Sequence, residues 1–121
     1  CYPNKFKRTG HPARKVFQAL RIAVNDEMGE VERALAAVPD LLVPGGKCIC
    51  VTFHSLEDRI VKDIYNYRAN PCICPKEFPV CVCGKKADIK KITGKPIVPT
   101  DEETEENPRA RSAKLRVAQK I

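Results

Sequence analysis

The chain has 121 residues, a hydrophobic fraction of 43% and a formal charge of +7. That length suits one domain or part of a larger one, and no segment approaches the apolar length of a membrane span. The charge favours an anionic partner, most simply nucleic acid. Seven cysteines with no signal peptide at the start point to a reducing, cytoplasmic setting, not a disulfide framework.

Residues 1–10 read as irregular, a linker or the tail of a preceding element. A helix is expected from Pro12, since proline is favoured in the first helical position. Phe17, Leu20, Val24, Met28, Val31 and Leu35 then mark one apolar stripe at helical period. Gly29 lies within the pattern and is a candidate bend; Pro39 ends or restarts the helix. Arg14, Gln18, Arg21 and Asn25 mark a second stripe with no carboxylate among them. It is either a solvated face or a surface for phosphates and base edges.

Pro44-Gly45-Gly46 introduces the apolar run Cys48–Val51, which reads as a strand buried on both faces. Cys48 and Cys50 fit there as small buried hydrophobes. The period then changes: Leu56, Ile60, Val61, Ile64 and Tyr65 recur at helical spacing. Ser55, with Asp58 three residues on, has the pattern of a capping box. His54 and Ser55 therefore sit on a strand-to-helix corner, where open α/β sheets collect ligands. His54 is either a binding residue or a satisfied imidazole.

Asn70-Pro71 stops that helix. Residues 71–84 form a cysteine-rich hairpin, in which Cys72, Cys74, Cys81 and Cys83 make two C-x-C pairs. Alternate residues of an extended chain point the same way, so folding the pairs together yields a four-thiolate set suited to structural zinc. Without a metal they are four exposed thiols open to oxidation.

Residues 87–93 read as a strand. Thr100 caps a short acidic helix, with Glu103 in a capping-box position. Asn107-Pro108 ends it, and a half-buried strand follows over 113–119, in which Leu115, Val117 and Ala118 interleave with Lys114 and Arg116. Five of the fifteen carboxylates lie in Asp101–Glu106, followed by a basic stretch with no acid. No P-loop, Gly-rich nucleotide loop or nucleophile elbow is present. Strands this few cannot cover themselves, which implies a piece of a larger α/β domain.

Three segments carry a resemblance: His11–Glu27, Phe53–Lys62 and Asn107–Arg116. In this order they closely resemble the RsmH (MraW) family of S-adenosylmethionine-dependent methyltransferases, which modify the N4 amine of a cytosine in 16S ribosomal RNA. The likeness covers residues 10–121, the carboxyl-terminal part of such an enzyme. It implies the carboxyl-terminal part of a class I, Rossmann-like α/β sheet with flanking helices. Residues 47–53 would be the fifth strand, and 87–93 and 113–119 a terminal antiparallel pair. Residues 1–10 would be the tail of the family's helical insertion.

The family's cofactor motifs do not occur in this sequence, so most of the S-adenosylmethionine site is expected elsewhere and these residues alone should be inactive. His54 and Ser55 are the candidates for lining the target-base pocket. Arg21, Asn25, Arg109 and Arg111 are the candidates for contact with 16S ribosomal RNA of the small subunit. No catalytic base is assigned. The competing expectation is a stand-alone, zinc-stapled RNA-binding module without catalysis.

Overall fold

The computed structural model describes residues 13–75 and 79–121. Helices α1 (Arg14–Asn25) and α2 (Glu27–Leu41) precede strand β1 (Lys47–Thr52) and helix α3 (Ser55–Ala69). Strand β2 (Ile89–Lys91), helix α4 (Asp101–Glu106), a 3-10 turn (Pro108–Ser112) and strand β3 (Lys114–Lys120) complete the chain. None of the described helices is long and apolar enough to cross a membrane.

The long amphipathic stretch is two helices, and its break is at Asp26, not at Gly29. Asp26 is left-handed, with φ 49°, a region aspartate tolerates better than most residues. Its carbonyl restarts the ladder by accepting from the Glu30 N–H at 2.9 Å. The Asp26 carboxylate lies where a Cβ on residue 29 would project, so glycine serves close approach there. The expected start at Pro12 lies outside the described residues. Pro39 does not stop α2, which runs on to Leu41. Pro39 forgoes one backbone bond to the carbonyl four residues back, and its ring is buried.

The three strands form one sheet in the order β1-β3-β2, with both pairings antiparallel. The terminal strand pair expected from the sequence is therefore present. Strand β2 is shorter than 87–93, yet the Ile92 and Thr93 N–H groups still donate to the Val117 carbonyl, at 2.9 and 3.2 Å. The Thr100 hydroxyl caps α4 by accepting from the Glu103 N–H at 3.2 Å. The mixed helix–strand architecture fits the carboxyl-terminal portion of a class I fold.

Strand β1 is not buried on both faces. Cys48 and Cys50 are half-buried on the side of α3, whereas Ile49 and Val51 are 62% and 50% exposed. Opposite them on β3 stand Val117 and Leu115. Residues paired directly across an antiparallel ladder share a face, so these four make one apolar face, on the side of the sheet away from Arg116 and α3. On strand β3 the sequence favoured Leu115 and Val117 as the inward residues. The most buried residues are instead Arg116 and Ala118, because α3 covers their side of the sheet.

The core joins Leu35 of α2, Val61 and Tyr65 of α3, Ile89 of β2 and Ala118 of β3. The Tyr65 hydroxyl lies 3.1 Å from the Cys48 sulfur. Arg68 ties three elements: it donates to the Ala36 carbonyl at 2.8 Å and pairs with Asp88 beside β2. At the other end of α3, Arg116 Nε donates to Asp58 Oδ1 at 2.7 Å and Nη2 to Oδ2 at 3.2 Å. Lys114 Nζ adds an ion pair at 3.3 Å. Asp58 and Arg116 are only 7% and 8% exposed.

Arg116 holds the Asp58 carboxyl below the usual carboxylate range, against the opposing effect of burial, with help from Lys114. A depressed folded pKa gives stability that is complete above the ordinary value of about 3.9 and lost as pH falls through the lowered one. Replacing Asp58 by alanine strands a buried guanidinium. The urea midpoint of the intact protein should fall by the equivalent of ~3–5 kcal/mol, and the Asp58→Leu/Arg116→Met double variant should recover most of it.

Candidate functional site

The corner after β1 is built by its own side chains. The chain stays extended through His54, at φ −123° and ψ 143°, and turns helical at Ser55. His54, not Ser55, is therefore the cap. Its Nδ1 accepts from the Leu56 N–H at 3.3 Å, and the Glu57 carboxylate accepts from the Phe53 and His54 N–H groups, each at 3.1 Å. Ser55 is the first helical residue and is exposed, and Asp58 faces β3. With Nδ1 accepting, the imidazole proton belongs on Nε2, which meets no acceptor among the described residues.

Register brings distant candidates to this corner. Thr52 pairs with Lys114, so the end of β1 lies beside the entry to β3. Just before that entry, the 3-10 turn holds Arg109 and Arg111 on either side of buried Ala110. Both arginines are exposed and make no ion pair among the described residues. No carboxylate of Asp101–Glu106 pairs with them, and Asp58 is engaged by Arg116 and Lys114.

Arg21 and Asn25 also lie toward this end, but they are not free. Arg21 Nε is 2.7 Å from Glu27 Oε1, and Asn25 Nδ2 donates to the same oxygen at 3.4 Å. Six positions along an unbroken helix would put Glu27 on the far side from Arg21. The break at Asp26 swings it back, so the stripe that lacks a carboxylate in sequence gains one in space. Arg21 holds the Glu27 carboxyl below its usual range, with Asn25 contributing in the same direction. Glu57 in turn acts on Arg21, so the α1–α2 junction is within electrostatic reach of the corner.

The cysteine loop leaves the opposite end of α3, a helix of 15 residues and hence about 22 Å long. The sulfurs of Cys72, Cys74, Cys81 and Cys83 all lie within 4.8 Å of one another. Backbone N–H groups of Ile73 and Lys85 draw the Cys83 thiol down to about 6, whereas Cys81, against Cys83 first and then Cys72 and Cys74, is pushed up to about 12. A groove of about 460 Å³ lies beside the loop, lined by Tyr67, Arg68, Pro71, Lys85 and Asp88 among others. It is remote from the corner and brings together none of the candidate residues.

The sequence profile of the MraW methylase family matches residues 1–121. The chain belongs to the MraW methylase family. It is 56% identical over 119 residues to ribosomal RNA small subunit methyltransferase H of Carboxydothermus hydrogenoformans, an alignment covering 98% of this chain and 38% of that protein. The protein of the same name from Acetivibrio thermocellus is 58% identical, with the same coverage of both. That from Heliobacterium mobile is 59% identical over 93% of this chain and 36% of its own length. The chain thus spans well under half the length of these curated relatives.

At the start of α3 the Leu56 N–H is taken by His54, and the Phe53 and His54 N–H groups just before the helix are taken by Glu57, so these three donors are engaged within the chain.

The missed residues here are Glu57 and Arg116. The only sequence signals were Glu57 three places after His54 and the shared face of Arg116 and Ala118 at period two. If His54 is the cap, His54→Ala should cost about 1 kcal/mol in thermal unfolding, whereas Ser55→Ala should stay within about 0.5 kcal/mol. The reverse order would restore Ser55 as the cap.

Proposed function

We propose that this chain is the carboxyl-terminal part of an S-adenosylmethionine-dependent enzyme that methylates the N4 amine of a cytosine in 16S ribosomal RNA of the small subunit, in the cytoplasm. The observation that carries the reading is the 56–59% identity, over nearly the whole chain, to proteins named as small-subunit ribosomal RNA methyltransferases. The apolar face of Ile49, Val51, Leu115 and Val117 supports it. In a stand-alone module that face would meet water, whereas a sheet with helices on both sides needs it covered. The remainder of the longer protein is its natural cover.

The amine of cytosine is a weak nucleophile, because its lone pair is delocalised into the ring. Holding it in line with the methyl group is therefore the main task, and the base must first leave its stack. At the corner, the Nε2–H of His54 is a donor suited to the acceptor edge of cytosine, and Ser55 offers an exposed hydroxyl beside it. Arg109 and Arg111 supply unpaired positive charge at the same end of the sheet for RNA phosphates. Arg21 and Asn25 join them on α1, and their engagement with Glu27 means that RNA must compete for them.

Intact protein should transfer tritiated methyl groups from S-adenosylmethionine to 16S RNA, and residues 1–121 alone should not. Absence of transfer by the intact protein would overturn the reading. Replacing Arg109 and Arg111 together by alanine should weaken RNA binding and reduce the log–log salt slope by about two, one for each phosphate no longer neutralised. The melting temperature should barely move. A parental slope with a large loss of stability would assign the arginines a structural role instead.

A further inference from the structure

We propose that Cys72, Cys74, Cys81 and Cys83 hold one zinc ion that staples the connection between α3 and β2. The sulfurs are close enough for one tetrahedral ion. Zinc–sulfur bonds of about 2.3 Å set a sulfur–sulfur edge of about 3.8 Å. Four sulfur pairs lie at 3.3 Å (Cys81–Cys83), 3.5 Å (Cys72–Cys81), 3.8 Å (Cys74–Cys81) and 3.9 Å (Cys72–Cys83), and all four sulfurs lie within 4.8 Å of one another. A disulfide would need about 2.05 Å, and no two of these sulfurs come near it.

Gly84, directly after Cys83, is left-handed at φ 66°, a turn that glycine takes without strain. Each C-x-C pair contributes two sulfurs to the cluster.

The site also answers a structural need. Between Ala69 and Ile89 the described residues contain no helix or strand, and a connection of that length rarely orders itself without other support. A soft divalent ion bound by four thiolates supplies it. The site is about 22 Å along α3 from the corner, so its role is to order the loop and not to take part in methyl transfer.

The test uses the intact protein purified without chelator. Elemental analysis should give about one zinc per chain, and X-ray absorption should show four sulfur neighbours at about 2.3 Å. Cys72→Ser/Cys83→Ser should lose the metal, whereas Cys48→Ser should keep it. Should the double variant fail to fold, the wild-type protein still decides: a mercurial titrated in the presence of a zinc indicator should release one equivalent. That release should speed amide exchange across 70–88 while leaving β1 and β3 protected. Metal-free protein with four titrating thiols, a pair of disulfides, or iron in place of zinc would each overturn the proposal.

Discussion

The pairing of Asp58 with Arg116 is the constraint on which the arrangement depends. It joins the first turn of α3 to the middle of β3, 58 residues apart in sequence. Its geometry fixes the rotation of α3 over the sheet, and so decides that Val61 and Tyr65 point into the core. A buried ion pair is not in itself a source of stability, because desolvation offsets most of the attraction. What it contributes here is register. A strand β3 shifted by one residue would turn Arg116 to the bare face and leave Asp58 buried without a partner.

The same placement organises the functional end. With β3 antiparallel to β1, the residues entering β3 meet those leaving β1. The corner at His54 and the arginines of the 3-10 turn become neighbours without touching in sequence. Arg68 and Asp88 perform a matching task at the far end of α3, joining it to α2 and to the approach of β2. Helix α3 is thus anchored at both ends by an arginine–carboxylate pair, with an apolar middle. That leaves the cysteine loop to be ordered separately, since it extends beyond the second anchor.

The sheet is finished on one side only. Helices α2 and α3 cover the face bearing Cys48, Cys50 and Ala118. The opposite face carries aliphatic residues from both β1 and β3, and the outer edge of β1 has no partner among the described strands. Helix α1 is similarly bare, with Phe17 69% and Val24 83% exposed. Long exposed edges and aliphatic faces are liabilities for a free domain. They are ordinary for a portion of a larger sheet, as the lengths of the relatives suggest.

The elements were largely legible in the sequence because each has a local cause. An apolar run marked β1, near alternation marked β3, helical spacing marked α3, and Thr100 marked α4. The motifs of the resemblance pointed to the family, and the two C-x-C pairs named their four residues. What the sequence left open depended on interactions between distant segments. Ser55 is the capping residue expected by type, and only the extended backbone at His54 moves the cap one place back. Asp26 breaks the helix through its own left-handed backbone, and that break brings Glu27 to Arg21. Arg116 looked like a solvated cation on an amphipathic strand until α3 presented a carboxylate to it. Local pattern determines which segments are helix or strand; which polar residue is buried, and against what, is decided only when the segments meet.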